Sequence, residues 1–163
     1  SHTAVWTGSL MVIWGGDSGT ALLNSGGRYD PATDTWSATH SPTAPSGRYL
    51  QTAVWAENRM IVWGGRDCCT TYYGSGGLYD PVLDQWAPIA PEGSPAPRKQ
   101  HEAVWTGSLM IAWGGWLMFR ERDEEHHSTT LRVARWIGFV CLSRSPSSAG
   151  CSCHCPCPGP DSA

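Results

Sequence analysis

The chain has 163 residues, is 40% hydrophobic and 15% charged, and carries ten tryptophans, a globular composition with room for a real core. Its formal net charge is −3, with six Lys or Arg against nine Asp or Glu in residues 1 to 116 and five against five beyond. This balance excludes a basic nucleic-acid surface, and no apolar stretch is long enough to span a bilayer as a helix. Of the seven cysteines, two are Cys68 and Cys69 and five lie between Cys141 and Cys157, so disulfides are not what holds the N-terminal part together.

In chain order, His2 to Thr7 and Leu10 to Trp14 read as two strands joined by a tight hairpin at Gly8-Ser9. Leu10 to Trp14 is apolar at every position, which predicts a strand covered on both faces. Gly15-Gly16, a polar loop from Asp17 to Ser25 and a third strand, Gly26 to Tyr29, follow. Asp30-Pro31-Ala32-Thr33-Asp34 is a turn, because proline fixes φ and aspartate side chains bond nearby amides. Thr35 to Thr39 makes the fourth strand, and the Pro-rich Ser41 to Gly47 leads to the next unit. That unit repeats each element: Gln51 to Ala56, Arg59 to Gly65, Gly76 to Asp80, the turn Asp80 to Asp84, and Gln85 to Ile89.

The first two strands are written three times, as HTAVWTGSLMVIWGG from His2, QTAVWAENRMIVWGG from Gln51 and HEAVWTGSLMIAWGG from His101, spaced 49 and then 50 residues. A period near fifty built from short apolar runs predicts β-propeller blades whose faces stack on one another. The units are residues 1–50, 51–100 and, for the first two strands of a third blade, 101–116. The pattern then stops: where Tyr-Asp-Pro is due, the chain reads Thr129-Thr130-Leu131.

An apolar strand ending in Gly-Gly, followed by Tyr and, seven positions on, Trp, resembles the kelch repeat, here Gly15-Gly16, Tyr29, Trp36 and Gly64-Gly65, Tyr79, Trp86, with Gly114-Gly115 opening a third copy. The closest flavour is that of bacterial kelch-like proteins with repeats such as HTAVWTG, WGG and YDPATDTW. The resemblance covers residues 1 to 116 and implies an all-β, partial propeller of four-stranded antiparallel blades, innermost strand first. Tyr and Trp then have a structural role, large apolar rings with a polar tip that fill the space over the Gly-Gly pairs between blades. A closed ring takes roughly four to eight blades, so two and a third blades, starting inside a repeat, are expected of a piece of a longer protein. The exposed faces are expected to need further blades or self-association.

Residues 117–163 read as a non-kelch tail. Leu117 to Leu142 suits a helix exposing Arg120 to Glu125, and Ser143 to Ala163 has the Ser, Pro, Cys and Gly composition of a disordered segment. The abrupt change after Gly115 matches a shift of reading frame as well as it does a genuine divergent tail. Cys151, Cys153, His154, Cys155 and Cys157 offer metal-ligand atoms, yet alternate-residue spacing fits a tetrahedral zinc site poorly, and no metal is expected. Cys68-Cys69 beside Tyr72-Tyr73 reads as an ordinary loop, and Asp30, Asp34, Asp80 and Asp84 as turn caps rather than calcium ligands.

His2, Gln51 and His101 open equivalent inner strands, with Arg48 and Arg98 just before the later two. Around a ring axis these five are the candidates to face a ligand, against the plainer reading that they satisfy backbone groups between blades. No nucleophile with a base, phosphate loop or acid–base pair stands out. The expectation is a non-enzymatic module, without cofactor, that binds protein or glycan. The alternatives are a piece of a sialic acid epimerase-like or sugar oxidase-like propeller, or a self-associating structural repeat. An extracellular or cell-envelope location is the leaning, with no segment that fixes it.

Overall fold

A computed structural model describes residues 1–40, 42–91, 93–117 and 137–139. All the described elements are β-strands. The first sheet is β1 (Thr3–Trp6), β2 (Met11–Trp14), β3 (Gly26–Asp30) and β4 (Thr35–Ala38), and the second is β5 (Thr52–Ala56), β6 (Arg59–Trp63), β7 (Gly76–Asp80) and β8 (Gln85–Pro88). Each is an antiparallel meander in chain order, and the register repeats: Thr3 faces Trp14 and Thr52 faces Trp63, while Tyr29 faces Trp36 and Tyr79 faces Trp86. These are two kelch-like four-stranded blades.

A short strand β9 (Arg98–Lys99) precedes the third unit, in which β10 (Glu102–Trp105) pairs with β11 (Met110–Trp113) in the same register, Glu102 facing Trp113. Beyond it, β12 (Trp116–Leu117) pairs back onto β9. The helix expected over Leu117 to Leu142 is replaced by strand at both places where that segment is described, Leu117 in β12 and Ile137–Phe139 in β13. β13 adds parallel to β11, on the edge where β3 and β7 add antiparallel to β2 and β6. An apolar Ile-Gly-Phe run suits an open sheet edge better than a solvated helix face. The remaining tail expectations, the cysteine cluster and Trp136 among them, lie outside the described residues.

Side chains alternate across each sheet, giving each blade two faces. One, the A face, carries Val5, Val12 and Trp14 in blade 1, Val54, Ile61 and Trp63 in blade 2, and Val104, Ile111 and Trp113 in blade 3. The other, the B face, carries Trp6, Met11, Ile13, Tyr29 and Trp36 in blade 1 and Trp55, Met60, Val62, Tyr79 and Trp86 in blade 2. The core is built by A meeting B. Val5, Val12 and Trp14 pack on Met60, Val62, Tyr79 and Trp86, and Val54, Ala56, Ile61 and Trp63 pack on Met110 and Ala112. Full burial of each large apolar side chain contributes about 1.5–3 kcal/mol. The middle strand β6 is buried from Met60 to Trp63, as a run with no polar position requires. The equally apolar β2 buries only Val12 and Trp14, because among the described residues blade 1 has a neighbour on one side only.

The tryptophans of the outer strands cover different glycines from those expected. Trp86 lies over Gly77 and Trp36 over Gly27, on the neighbouring strand, rather than over the Gly-Gly pairs that end β2 and β6. In blade 2 that stack continues across the interface, with Trp86 5.2 Å from Trp14 and 5.0 Å from Tyr79 between ring centroids. A methyl group on Gly77 would sit 2.9 Å from the Trp86 ring and 2.6 Å from Pro45 of the linker, whereas on Gly27 its one close contact would be Trp36, at 3.0 Å, with Ser37 O at an ordinary 3.7 Å. Gly77→Ala is therefore expected to lower stability by about 1–3 kcal/mol, and Gly27→Ala by clearly less, since Trp36 has solvent to move into. Urea midpoints of the two variants check the order, and equal losses would contradict it.

Candidate functional site

Each inner hairpin ends in Trp-Gly-Gly, and all six glycines have left-handed φ, from 69° to 102°. A side chain there would be strained, so the chain can turn sharply only with glycine. The space is also taken: an added Cβ on Gly15 would lie 2.8 Å from the Gln51 amide, and one on Gly64 would strike the His101 ring. Gln51 and His101 thus plug the turn of the preceding blade.

The linker arginines join the same turns. The Gly16 amide donates to the Arg48 carbonyl at 2.9 Å, while the Arg48 guanidinium donates to Gly64 O at 3.1 Å and Ser75 O at 2.8 Å in the next blade. One unit on, the Gly65 amide donates to Arg98 O at 2.8 Å and Arg98 donates to Gly114 O at 3.1 Å. Arg48 is fully buried, stacked 4.1 Å over the Tyr73 ring. Burial lowers its pKa to about 10, so it stays charged at neutral pH.

Of the five candidates to face a ligand, Arg48 and Arg98 therefore direct donors at blade carbonyls, the arrangement of the plainer reading. Gln51 is buried, donating to Trp14 O at 3.4 Å, and His101 is buried with Nε2 2.7 Å from Thr52 Oγ1; His2 alone is exposed. Gln51 Oε1 and His101 Nδ1 have no protein hydrogen-bond partner. The aspartates cap their turns: Asp30 accepts from the Ala32 amide, and Asp80 from those of Val82 and Leu83. Asp34 and Asp84, both at φ 53°, accept instead from Tyr29 and Tyr79 hydroxyls at 2.8 and 2.6 Å. Asp84 also takes the His40 amide at 2.8 Å and faces Arg28 at 3.4 Å, tying blade 1 to blade 2. Among the described residues no three His, Cys, Asp or Glu side chains gather as a metal site.

Sequence reasoning missed a second set of positions. The residue after each Gly-Gly sits at one rim of the blades. Arg66 bridges both to Tyr72 in its own loop and to Tyr49 in the preceding linker, and Asp17 bridges to Leu22 and Trp116 to Lys99. A backbone bridge recurs at this position, to the loop at Asp17, to the linker at Trp116 and to both at Arg66, while the residue itself changes in strands that are otherwise near copies. Repeat divergence right after the invariant glycines was the signal available in the sequence. In the structure Arg66 and Lys99 are buried, at 5.6 and 5.0 Å from the Tyr72 ring centre, and neither has a carboxylate ion pair among the described residues. Tyr49 and Tyr72 are half-buried and Trp116 is exposed.

A family model described as the KLHDC2/KLHL20/DRC7 Kelch-repeats domain matches residues 1–158. No curated protein matches the chain at a significant level.

Burial, with the Arg98 charge, lowers the His101 pKa to about 4, against about 6.5 in an unfolded chain. The folded state holds His101 neutral, so its contribution is complete above pH 6.5 and falls as pH drops from 6.5 towards 4. The slope is about 1.4 kcal/mol per pH unit and the total about 3 kcal/mol. His101→Gln, which places the residue of the equivalent position 51 there, is expected to flatten this dependence. Urea unfolding at several pH values checks it; an unchanged slope would contradict the assignment.

Proposed function

This chain belongs to the kelch-repeat family, whose repeats mediate protein interactions, and from that premise we propose that it is a non-catalytic module whose Arg66–Lys99 rim receives an acidic segment of a partner protein. The observation that carries this reading is the rim, where the residue after each glycine pair is held by a backbone bridge, to its own loop at Asp17, to the preceding linker at Trp116 and to both at Arg66, and presents a different side chain in each unit. A rigid scaffold with varied residues at a fixed geometry is how binding surfaces are built on repeat folds. Trp116 and Tyr72 supply aromatic contact area, and Arg66 and Lys99 behind them supply positive charge without a carboxylate to cancel it among the described residues. An acidic peptide carrying an aromatic residue complements both features. That charge favours a protein segment over a neutral glycan.

The non-catalytic half of the reading is supported by where the perturbed titratable groups point. Tyr79, its pKa raised by burial and by its bond to Asp84, and His101, lowered by burial, are both engaged with the scaffold.

Fluorescence anisotropy with a labelled Asp/Glu-rich peptide containing one tryptophan tests the proposal, beside a basic peptide of equal length and a neutral oligosaccharide. The acidic peptide is expected to bind best and more weakly as salt rises. Lys99→Met and Trp116→Ala should each weaken it about ten-fold. Equal binding of the basic peptide, or stronger binding of the oligosaccharide, would overturn the choice of partner. Turnover of an N-acylated amino sugar or oxidation of galactose would overturn the non-catalytic assignment.

A further inference from the structure

The loop after the second glycine pair carries two adjacent cysteines that neither the stack nor the rim uses. Cys69 is disulfide-bonded, whereas Cys68 is a free, half-buried thiol whose Sγ lies 3.5 Å from Cys69 Sγ. A disulfide sulfur carries no proton, so the Cys68 thiol is the donor of that contact and rests against the kind of atom a thiolate attacks. The backbone around the pair is pinned. Asp67 Oδ1 accepts from the Cys69 amide at 3.0 Å and the Thr71 amide at 2.8 Å, and the Arg66 guanidinium donates to the Asp67 and Cys69 carbonyls. Blade 1 builds the same aspartate turn with Ser18 and Gly19, the Gly19 amide donating to Asp17 Oδ1 at 2.7 Å. The turn therefore does not require sulfur at either position.

We propose that Cys68 is the exchanging thiol for the Cys69 disulfide, which makes this loop a releasable covalent attachment point for another thiol. The deprotonated Cys68 sulfur bonds to Cys69 Sγ, and the bond from Cys69 to its present partner sulfur breaks. The electron pair leaves with that partner sulfur, which takes up the proton Cys68 lost. One thiol and one disulfide stand on each side of the step, so no outside oxidant or reductant enters it. Adjacent Cα atoms are about 3.8 Å apart across a trans peptide, against roughly 4.4–6.8 Å across an ordinary disulfide. The Cys68–Cys69 bond is therefore strained and readily reduced, so thiol in solution removes it and carries the release forward. This inference is independent of the partner proposed for the rim.

The full chain, purified without reductant, is exposed to a series of low 2-mercaptoethanol concentrations, quenched with acid and alkylated. Mass spectrometry of the tryptic peptide 67–98 then follows opening of the Cys69 disulfide. In the wild type the opening rate is expected to extrapolate to a finite value at zero thiol, because the first step is internal. In Cys68→Ser, which carries the residue of the equivalent position 18, opening should be proportional to thiol. At the lowest concentration it should be at least about ten-fold slower than in the wild type. Equal rates in the two proteins would overturn the proposal, as would a Cys69 that is already alkylated in the untreated chain. Near-ultraviolet circular dichroism verifies folding, and Cys68→Ala repeats the test without a hydroxyl.

Discussion

Every feature of this molecule depends on one recurring clasp, in which a linker arginine holds two successive Trp-Gly-Gly turns. The Arg48 carbonyl takes the Gly16 amide of blade 1, and its guanidinium takes the Gly64 and Ser75 carbonyls of blade 2. Arg98 repeats both halves of the contact between blades 2 and 3. Backbone groups at a sharp turn inside a stack have no water to turn to, and leaving one unpaired costs about 1–3 kcal/mol. The clasp resolves that cost for both turns at once, and it brings the next inner strand into place, with Gln51 or His101 plugged against the glycines. Stacking of face on face then follows, because the blades are already aligned.

The clasp also explains why near-identical strands have different surroundings. β2, β6 and β11 share their apolar pattern, yet only β6 is covered from both sides. Burial here is a property of position in the stack. The Asp84 node adds a second tie at the outer strands that is not repeated, since its partner Arg28 is matched in blade 2 by Leu78. Burial would raise the Asp84 pKa, but the bonds from Tyr79 and His40 and the charge of Arg28 prevail and hold it below the usual carboxylate range. Its contribution is therefore present above pH 4 and lost in acid.

Most of the fold was legible in the repeat itself. Period and turn chemistry located the eight strands of the first two blades to within a residue or two, and the aspartates at residues 30 and 80 were readable as turn caps. Side-chain direction was not legible. Arg48 and Arg98 recur at the right interval, but a linear pattern does not say whether a guanidinium points to a ring axis or back into a turn. The pairing of Tyr79 with Asp84 depends on the left-handed conformation at Asp84, which no composition signals. Trp86 was rightly expected to cover glycine, but register sends it to Gly77. The strand at Ile137–Phe139 depends on an open sheet edge, a tertiary circumstance that local propensity does not carry. The rim was visible only as divergence, and needed the backbone bridges to become a surface.

The rim has a separate origin: a backbone bridge fixes the residue after each glycine pair, while its side chain differs from unit to unit, Asp17 accepting from the Gly19 amide and Arg66 donating to the Asp67 and Cys69 carbonyls. Native-state hydrogen exchange at the Gly16 and Gly65 amides tests the clasp most directly. If linker arginines bind successive turns together, both amides exchange as slowly as those within β6 and open only with the whole stack. Exchange at the rate of an exposed loop, with β6 still protected, would show that the blades are held by their faces alone and would contradict the central claim.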